Sequence, residues 1–247
     1  DLIDKLRPQI RAGVPIVVLE PSCWAVFKDE LTNILNENED AKRLQEQVFT
    51  LSDFLDRHAP PGYRVPKLHR KALLHGHCHQ KSLDRLNDKR YGELFCEKDL
   101  LKKMGIAFEA PTDGCCGMAG AFGFEKGDHY AVAMACGERS LLPHVRQTSD
   151  DDLVIADGFS CREQISQATG RHALHLAEVM QLALRHGPDG PRTGEHPEAE
   201  VQRCVRRAHR KANARALTAV ACGALIGGLL YRFNKHQQRS STTWISR

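Results

Sequence analysis

Four short apolar runs, each closing in a turn that carries Gly, Pro or Cys, constrain this chain more than any other feature. They cover residues 14–19, 72–75, 106–110 and 153–156. Each is partly β-branched and too short for a helix, so each predicts a strand. Helical patterns separate them. Leu94, Leu100, Leu101 and Met104 form one stripe ahead of Gly105, and residues 26–35, 41–58, 130–141 and 173–184 have helical character. Strands alternating with helices predict an α/β fold, a mainly parallel sheet with flanking helices. Ligand sites in such sheets collect at the carboxyl ends of the strands.

Cysteines fall at those ends. The chain has nine in 247 residues. An odd number at uneven spacings argues against a disulfide framework. Two are adjacent, in Gly114-Cys115-Cys116-Gly117. A disulfide prefers Cα atoms ~4.4–6.8 Å apart, and neighbouring residues hold theirs at ~3.8 Å. Adjacent thiols suit a polynuclear metal centre, in which two ligands reach two metal atoms of one cluster. Glycine on either side lets the backbone approach closely. With Cys78 and Cys161, each beside a predicted strand, Cys115 and Cys116 complete four thiolates, the usual complement of a [4Fe–4S] cluster. Cys161 precedes an expected helix start, whose N-terminus favours the negative charge of a thiolate-bound cluster. Backbone N–H groups of Gly114, Gly117 and Gly120 are candidate donors to its sulfurs. Zinc also accepts four cysteines and is the alternative, although the ligands here are too widely separated for a zinc ribbon.

The net charge of +4 hides a division. Residues 187–247 carry +7 and residues 1–186 carry −3. A mildly acidic body gives no support to a nucleic-acid partner. The chain opens Asp1-Leu2-Ile3-Asp4, with neither a methionine nor a secretory signal. It is expected to be a piece of something longer, from a reducing compartment in which cysteine clusters hold metal. Residues 187–200 read as a linker, rich in Gly and Pro. A basic stretch from Arg203 to Arg215 leads into an apolar run over 216–231. At ~1.5 Å per residue that run reaches ~24 Å, short of a ~30 Å hydrocarbon core. Ala219, Gly223 and Gly227 repeat at the small-xxx-small spacing of membrane helix pairs. Residues 201–247 are therefore expected to form a helical, membrane-associated tail, or one that packs on a partner.

Residues 15–23 echo residues 153–161: both are apolar runs that end in Ser-Cys before a helical segment. Two copies of one unit would explain this. Residues 1–66 would hold the end of the first, truncated copy and its connecting helices. Residues 67–186 would be the second, complete copy.

The constellation resembles the cysteine-rich CCG domain found in the heterodisulfide reductase B subunit and in the iron–sulfur subunits of glycolate oxidase and anaerobic glycerol-3-phosphate dehydrogenase. The matching residues are Gly76-His77-Cys78-His79-Gln80, the segment from Gly114 through Cys115, Cys116 and Gly117 to Gly120, and Phe159-Ser160-Cys161. The stretch from Pro21 to Leu31 is most similar to the carboxyl-terminal part of fused FAD-linked oxidases, among them 2-hydroxyglutarate and lactate dehydrogenases. The resemblance covers residues 1–186. It implies an iron–sulfur module of an FAD-linked 2-hydroxy-acid dehydrogenase, with electrons passing from flavin toward a membrane quinone or another carrier. It also implies partners: a flavin-containing dehydrogenase domain or subunit and a ferredoxin-like iron–sulfur domain. The FAD site would lie upstream or on a partner, since this chain has no Gly-x-Gly-x-x-Gly loop. The missing secretory signal and the cysteine usage lead to an expected cytoplasmic placement, and the basic, apolar tail to one at the cytoplasmic face of the inner membrane. The chain departs from the family where Cys-x-x-Cys often closes the motif: Gly158 takes the first of those positions.

Two other functions fit the residues less fully: a zinc-stabilised interaction module without redox activity, and thiol–disulfide chemistry at Cys115 and Cys116. Cys96 and Cys136 are expected to be packing residues in helices. Cys23 reads as an unpaired thiol at a strand end. His77 and His79 are expected to flank Cys78, with His75 left behind on the strand. Asp113 and Asp157 are expected in turns or caps. Trp24 and Phe122 to Phe124 are expected to pack around the centre.

Overall fold

Strands joined through helices can pair in parallel, and those of this chain do. The computed structural model describes residues 2–87, 95–112, 114–191 and 196–218. The chain begins with α1 (Leu2–Arg11), β1 (Ile16–Val17), α2 (Pro21–Ala25), a π-helical turn at Val26–Glu30 and α3 (Leu31–Ile34). It continues through α4 (Glu39–Gln47), β2 (Val48–Phe49), α5 (Leu51–His58), β3 (Lys71–Leu74), α6 (Cys78–Asn87) and α7 (Phe95–Met104). Then come β4 (Ala107–Glu109), a 3-10 turn at Phe122–Phe124, α8 (Asp128–Glu138) and α9 (Leu141–Gln147). Last are β5 (Leu153–Ile155), α10 (Phe159–Thr169) and α11 (Leu176–His186), and residues 197–218 are helical.

The result is a mixed α/β protein whose described strands form two small parallel sheets, β1-β2 and β4-β3-β5. In the larger, Ala72 of β3 is level with Phe108 of β4 and Leu153 of β5. Residues 153–156 are fully buried. Val154 and Ala156 pack in one cluster with Leu73, Met118, Leu141, Val145 and Ile165, and Cys116 and Cys161 belong to that cluster. The cysteine-bearing loops are thus anchored in the core.

One expected helix is divided. Residues 41–58 form α4 and α5 with β2 between them. Val48 and Phe49 are both buried, and they pair with Ile16 and Val17. A β-branched and an aromatic residue fit that extended pairing. The Thr50 hydroxyl then accepts from the Asp53 N–H and starts a new helix.

The sequence echo has a structural counterpart. Cys23 is the third residue of α2, and Cys161 is the third residue of α10, each helix following a parallel strand. One carboxylate serves both N-termini. Glu20 Oε1 accepts from the Ser22 hydroxyl at 2.7 Å, and Oε2 accepts from the Phe159 N–H at 2.7 Å.

Residues 1–199 form one compact unit and 200–247 another. The stretch expected as a linker carries defined bonds within the first unit. The His69 N–H donates to the Pro188 carbonyl, and Arg70 donates to that of Pro191. Buried Arg171 pairs with Glu198 at 2.7 Å. The second unit is helical through residue 218. Most of the apolar run over 216–231 lies outside the described residues. Among the described residues, no helix is long and apolar enough to cross a membrane.

Candidate metal centre

Parallel strands end on one edge of their sheet, and the loops that follow them meet there. Cys78 opens α6 after β3, Cys115 and Cys116 lie in the loop after β4, and Cys161 lies in the first turn of α10 after β5. The four thiols are hydrogen-bonded in the order Cys78, Cys115, Cys116, Cys161. Residues up to 83 positions apart in the chain become members of one string.

Proton sharing along the string polarises it. Cys115 accepts from Cys116 and Cys78, which holds its thiol far below the ordinary value. Cys161 is lowered by the bond from Cys116 and, against its burial, by a hydrogen bond from His75. Cys78 is raised by its bond to Cys115 and by burial. Cys116, bonded to both Cys115 and Cys161, is raised furthest. Two of the sulfurs are therefore disposed to be thiolates, the form that binds metal.

Backbone donors reach the sulfurs as well. The Gly117 N–H donates to Cys115 Sγ at 3.3 Å, and that of Met118 to Cys116. Four thiols bonded in succession, with amide and imidazole donors to them, are the kind of donor set a thiolate-bound iron–sulfur centre would use. Among the described residues, no three His, Cys, Asp or Glu side chains are arranged to hold a single metal ion. All eight described cysteines are free thiols.

The histidines differ from expectation. The strand ends at Leu74, the His75 N–H still donates to the Ile155 carbonyl, and residues 75–77 make the short connection to α6. His75 and His77 are both buried, and His79 is exposed. His75 bonds Cys161. His77 caps α6: its Nδ1 accepts from the His79 N–H at 3.2 Å, and its own N–H donates to Gln80 Oε1 at 3.3 Å. This is a capping box built on an imidazole. Burial lowers the pKa of His77 and favours the neutral ring. The sequence pattern sets His75 aside because it does not show where the strand stops.

Asp157 and His175 brace the other side. Asp157 Oδ1 accepts from the Leu176 N–H at 2.8 Å and lies 3.5 Å from His175 Nε2. His175 Nδ1 accepts from the Ala177 N–H, and its Nε2 donates to the Leu19 carbonyl. Asp157 thus adds an acceptor at the start of α11, whose N-cap is His175, a contact 19 residues away in place of the local turn or cap expected of it. Asp113 lies outside the described residues. Burial raises the Asp157 pKa. The native state thus binds this proton more tightly than the unfolded chain, and the contribution of Asp157 to stability declines as pH rises from the ordinary carboxylate range through the raised value. Asp157→Asn keeps the acceptor and removes that slope. Asp157→Leu leaves the Leu176 N–H without this partner and is expected to cost about 1–3 kcal/mol. Urea midpoints at two pH values measure both effects.

The remaining expectations divide. Cys96 is buried in α7, and burial raises its pKa. Cys136 is partly buried in α8, and Cys23 is exposed. Trp24 is buried, but it packs with Ala25, Val48 and Leu83 in a cluster of its own. Phe124 is 48% exposed, and Phe122 stacks on His129. These aromatics do not wall the thiols. A 3-10 turn three residues long cannot direct two nearby phenylalanines into one core.

With that geometry, the class of the protein can be set against known proteins. No family model matches the chain. It is similar to oxidoreductases of the dehydrogenase class. It is 27% identical over 177 residues to one subunit of the anaerobic glycerol-3-phosphate dehydrogenase of Escherichia coli, across 70% of this chain and 41% of that protein. It is 27% identical over 184 residues to the D-2-hydroxyglutarate dehydrogenase of Pseudomonas putida, across 73% of this chain and 16% of that enzyme. The Escherichia coli D-2-hydroxyglutarate dehydrogenase is 23% identical over 178 residues, 16% of its length. The chain spans less than half the length of each of these relatives.

Proposed function

We propose that this chain is the iron–sulfur electron-transfer module of an FAD-linked 2-hydroxy-acid dehydrogenase, with Cys78, Cys115, Cys116 and Cys161 as the cluster ligands. The observation that carries this reading is the single string of four thiols assembled from three loops of one parallel sheet. A [4Fe–4S] cluster held there would take up and release single electrons. Cys116 and Cys161, 3% and 1% exposed, keep the inner side of the site away from water. Cys78 and Cys115, partly exposed, mark the side open to an electron partner. The Gly117 and Met118 amides and His75 offset the negative charge of the sulfurs, which favours the reduced state.

The similarity to dehydrogenase proteins supports the redox role. The small share of their length that the chain covers leaves room for flavin and ferredoxin-like parts elsewhere. On this reading residues 1–66 are the end of a first CCG unit and residues 67–186 a second, and electrons leave toward a quinone or another carrier. Residues 187–200 connect to a tail, 201–247, that holds the protein at the cytoplasmic face of the membrane. Anaerobic purification followed by iron analysis and electron paramagnetic resonance tests the centre. Iron and sulfide in equal amounts, with a signal on reduction, are expected. Stoichiometric zinc without iron would instead establish the interaction-module reading.

A further inference from the structure

The inner face of the cysteine string has a feature that ligand counting leaves aside. Gly158 is the N-cap of α10, three residues ahead of Cys161. A Cβ built on Gly158 would lie 2.2 Å from His77 Cδ2, 3.0 Å from His77 Nε2 and 3.3 Å from Cys161 Sγ. The imidazole edge and the sulfur thus face one small space, and only a residue without a side chain leaves it open. The ring cannot turn away freely. Its Nδ1 is engaged by the His79 N–H and its backbone N–H by Gln80, so the cap of α6 fixes the ring. An Nδ1 that accepts a hydrogen bond places the proton of a neutral imidazole on Nε2. That is the nitrogen beside Gly158. Glutamine and asparagine would not be equivalent replacements: a glutamine amide reaches the Nε2 position, whereas an asparagine amide stops near Nδ1.

We infer that His77 is a positioning residue that presents a fixed Nε2–H toward the Cys161 sulfur, and that Gly158 supplies the room for it. With His75 already bonded to Cys161, this sulfur has two imidazoles of the β3–α6 connection beside it. The inference deepens the proposed electron-transfer role and rests on it for its redox consequence. A donor aimed at a ligand sulfur makes the added electron easier to accept, because it offsets the negative charge that accumulates there. Phenylalanine at 77 keeps a ring and removes the donor. Alanine at 158 keeps His77 and displaces its ring.

The test uses the full chain in four forms: wild type, His77→Phe, His77→Gln and Gly158→Ala. Iron content is measured first, then the midpoint potential by redox titration. The expected result is full iron in all four. His77→Phe and Gly158→Ala should each shift the reduction equilibrium about tenfold toward the oxidised state, ~59 mV for a one-electron couple. His77→Gln should recover most of that shift. Unchanged potentials in His77→Phe and Gly158→Ala at full iron would overturn the inference, as would a His77→Gln protein that behaves like His77→Phe. A wild type without iron defeats the reading of the centre, a separate failure. The tautomer then decides the inference. Long-range proton–nitrogen spectra of the histidine-labelled, zinc-loaded chain should show His77 protonated at Nε2, identified by its loss in His77→Phe. A ring protonated at Nδ1 would overturn it.

Discussion

If the four thiols hold the proposed cluster, Cys116→Ser is expected to release the metal and bleach the protein, lowering iron affinity by more than about 100-fold. Cys116 lies between two other sulfurs of the string, hydrogen-bonded to both Cys115 and Cys161. Replacing it breaks the string in the middle. Loss of a residue that merely supports a ligand already costs about 10–100-fold in metal affinity, so loss of a ligand should cost more. The hydroxyl of serine is a poor thiolate substitute and would be left in a core cluster beside Val154 and Ile165. Cys136→Ser is the control. Cys136 is near enough that its Cβ lies 2.9 Å from a Cβ built on Gly117, but it is outside the string. It should keep full iron and an unchanged spectrum. Iron analysis and visible absorption of the two variants, side by side, decide the matter. A Cys116→Ser protein with full iron and colour would remove Cys116 from the ligand set.

Gly117→Ala is expected to destabilise the fold by about 3–5 kcal/mol, combining a strained backbone with a collision. Gly117 has φ of +94°, where a side chain is strained whatever the space around it. An added Cβ would also lie 2.1 Å from the Ala133 carbonyl oxygen. That oxygen belongs to the backbone of α8 and cannot move aside by changing rotamer. The loss would be a large share of a typical 5–15 kcal/mol stability. Moving α8 would also disturb the Gly117 amide on Cys115. Gly114, on the other side of the cysteine pair, has nothing within 4 Å of its would-be Cβ. Gly114→Ala should change stability by less than about 1 kcal/mol. Urea unfolding of both variants measures the difference. Equal midpoints would show that the loop relaxes around the new methyl group.

Those two glycines mark how far the sequence can be read. Both flank the cysteines, and both are equally good candidates to let the backbone come close. Nothing local distinguishes them, because the neighbour that matters, Ala133, is 16 residues away in another helix. The strands are more legible. The runs at 72–75, 106–110 and 153–156 contain nearly all of β3, β4 and β5; for β3 and β5, buried along most or all of their length, burial on both faces demands an unbroken apolar stretch, whereas Ala107 and Glu109 of β4 are exposed. Residues 41–58 read as one helix because Val48 and Phe49 satisfy a helical pattern until a partner strand competes for them. His75 and His77 can be placed only once the end of β3 is known, since a residue either side of that end decides which way a side chain points. The share of one Glu20 carboxylate between α2 and α10 has no sequence signal at all.

What the sequence determined alone is the chemistry on offer. Adjacent thiols between glycines, with two more cysteines at strand ends, restrict the possible reactions whatever the fold, since the identity of a donor atom is set by covalent structure. Which atoms meet was decided by the tertiary structure. Parallel pairing of β4, β3 and β5 gathers their following loops on one edge, and a gap the size of a missing Cβ at Gly158 admits an imidazole beside Cys161. Both depend on distances between segments remote in the chain, which packing sets and local sequence does not.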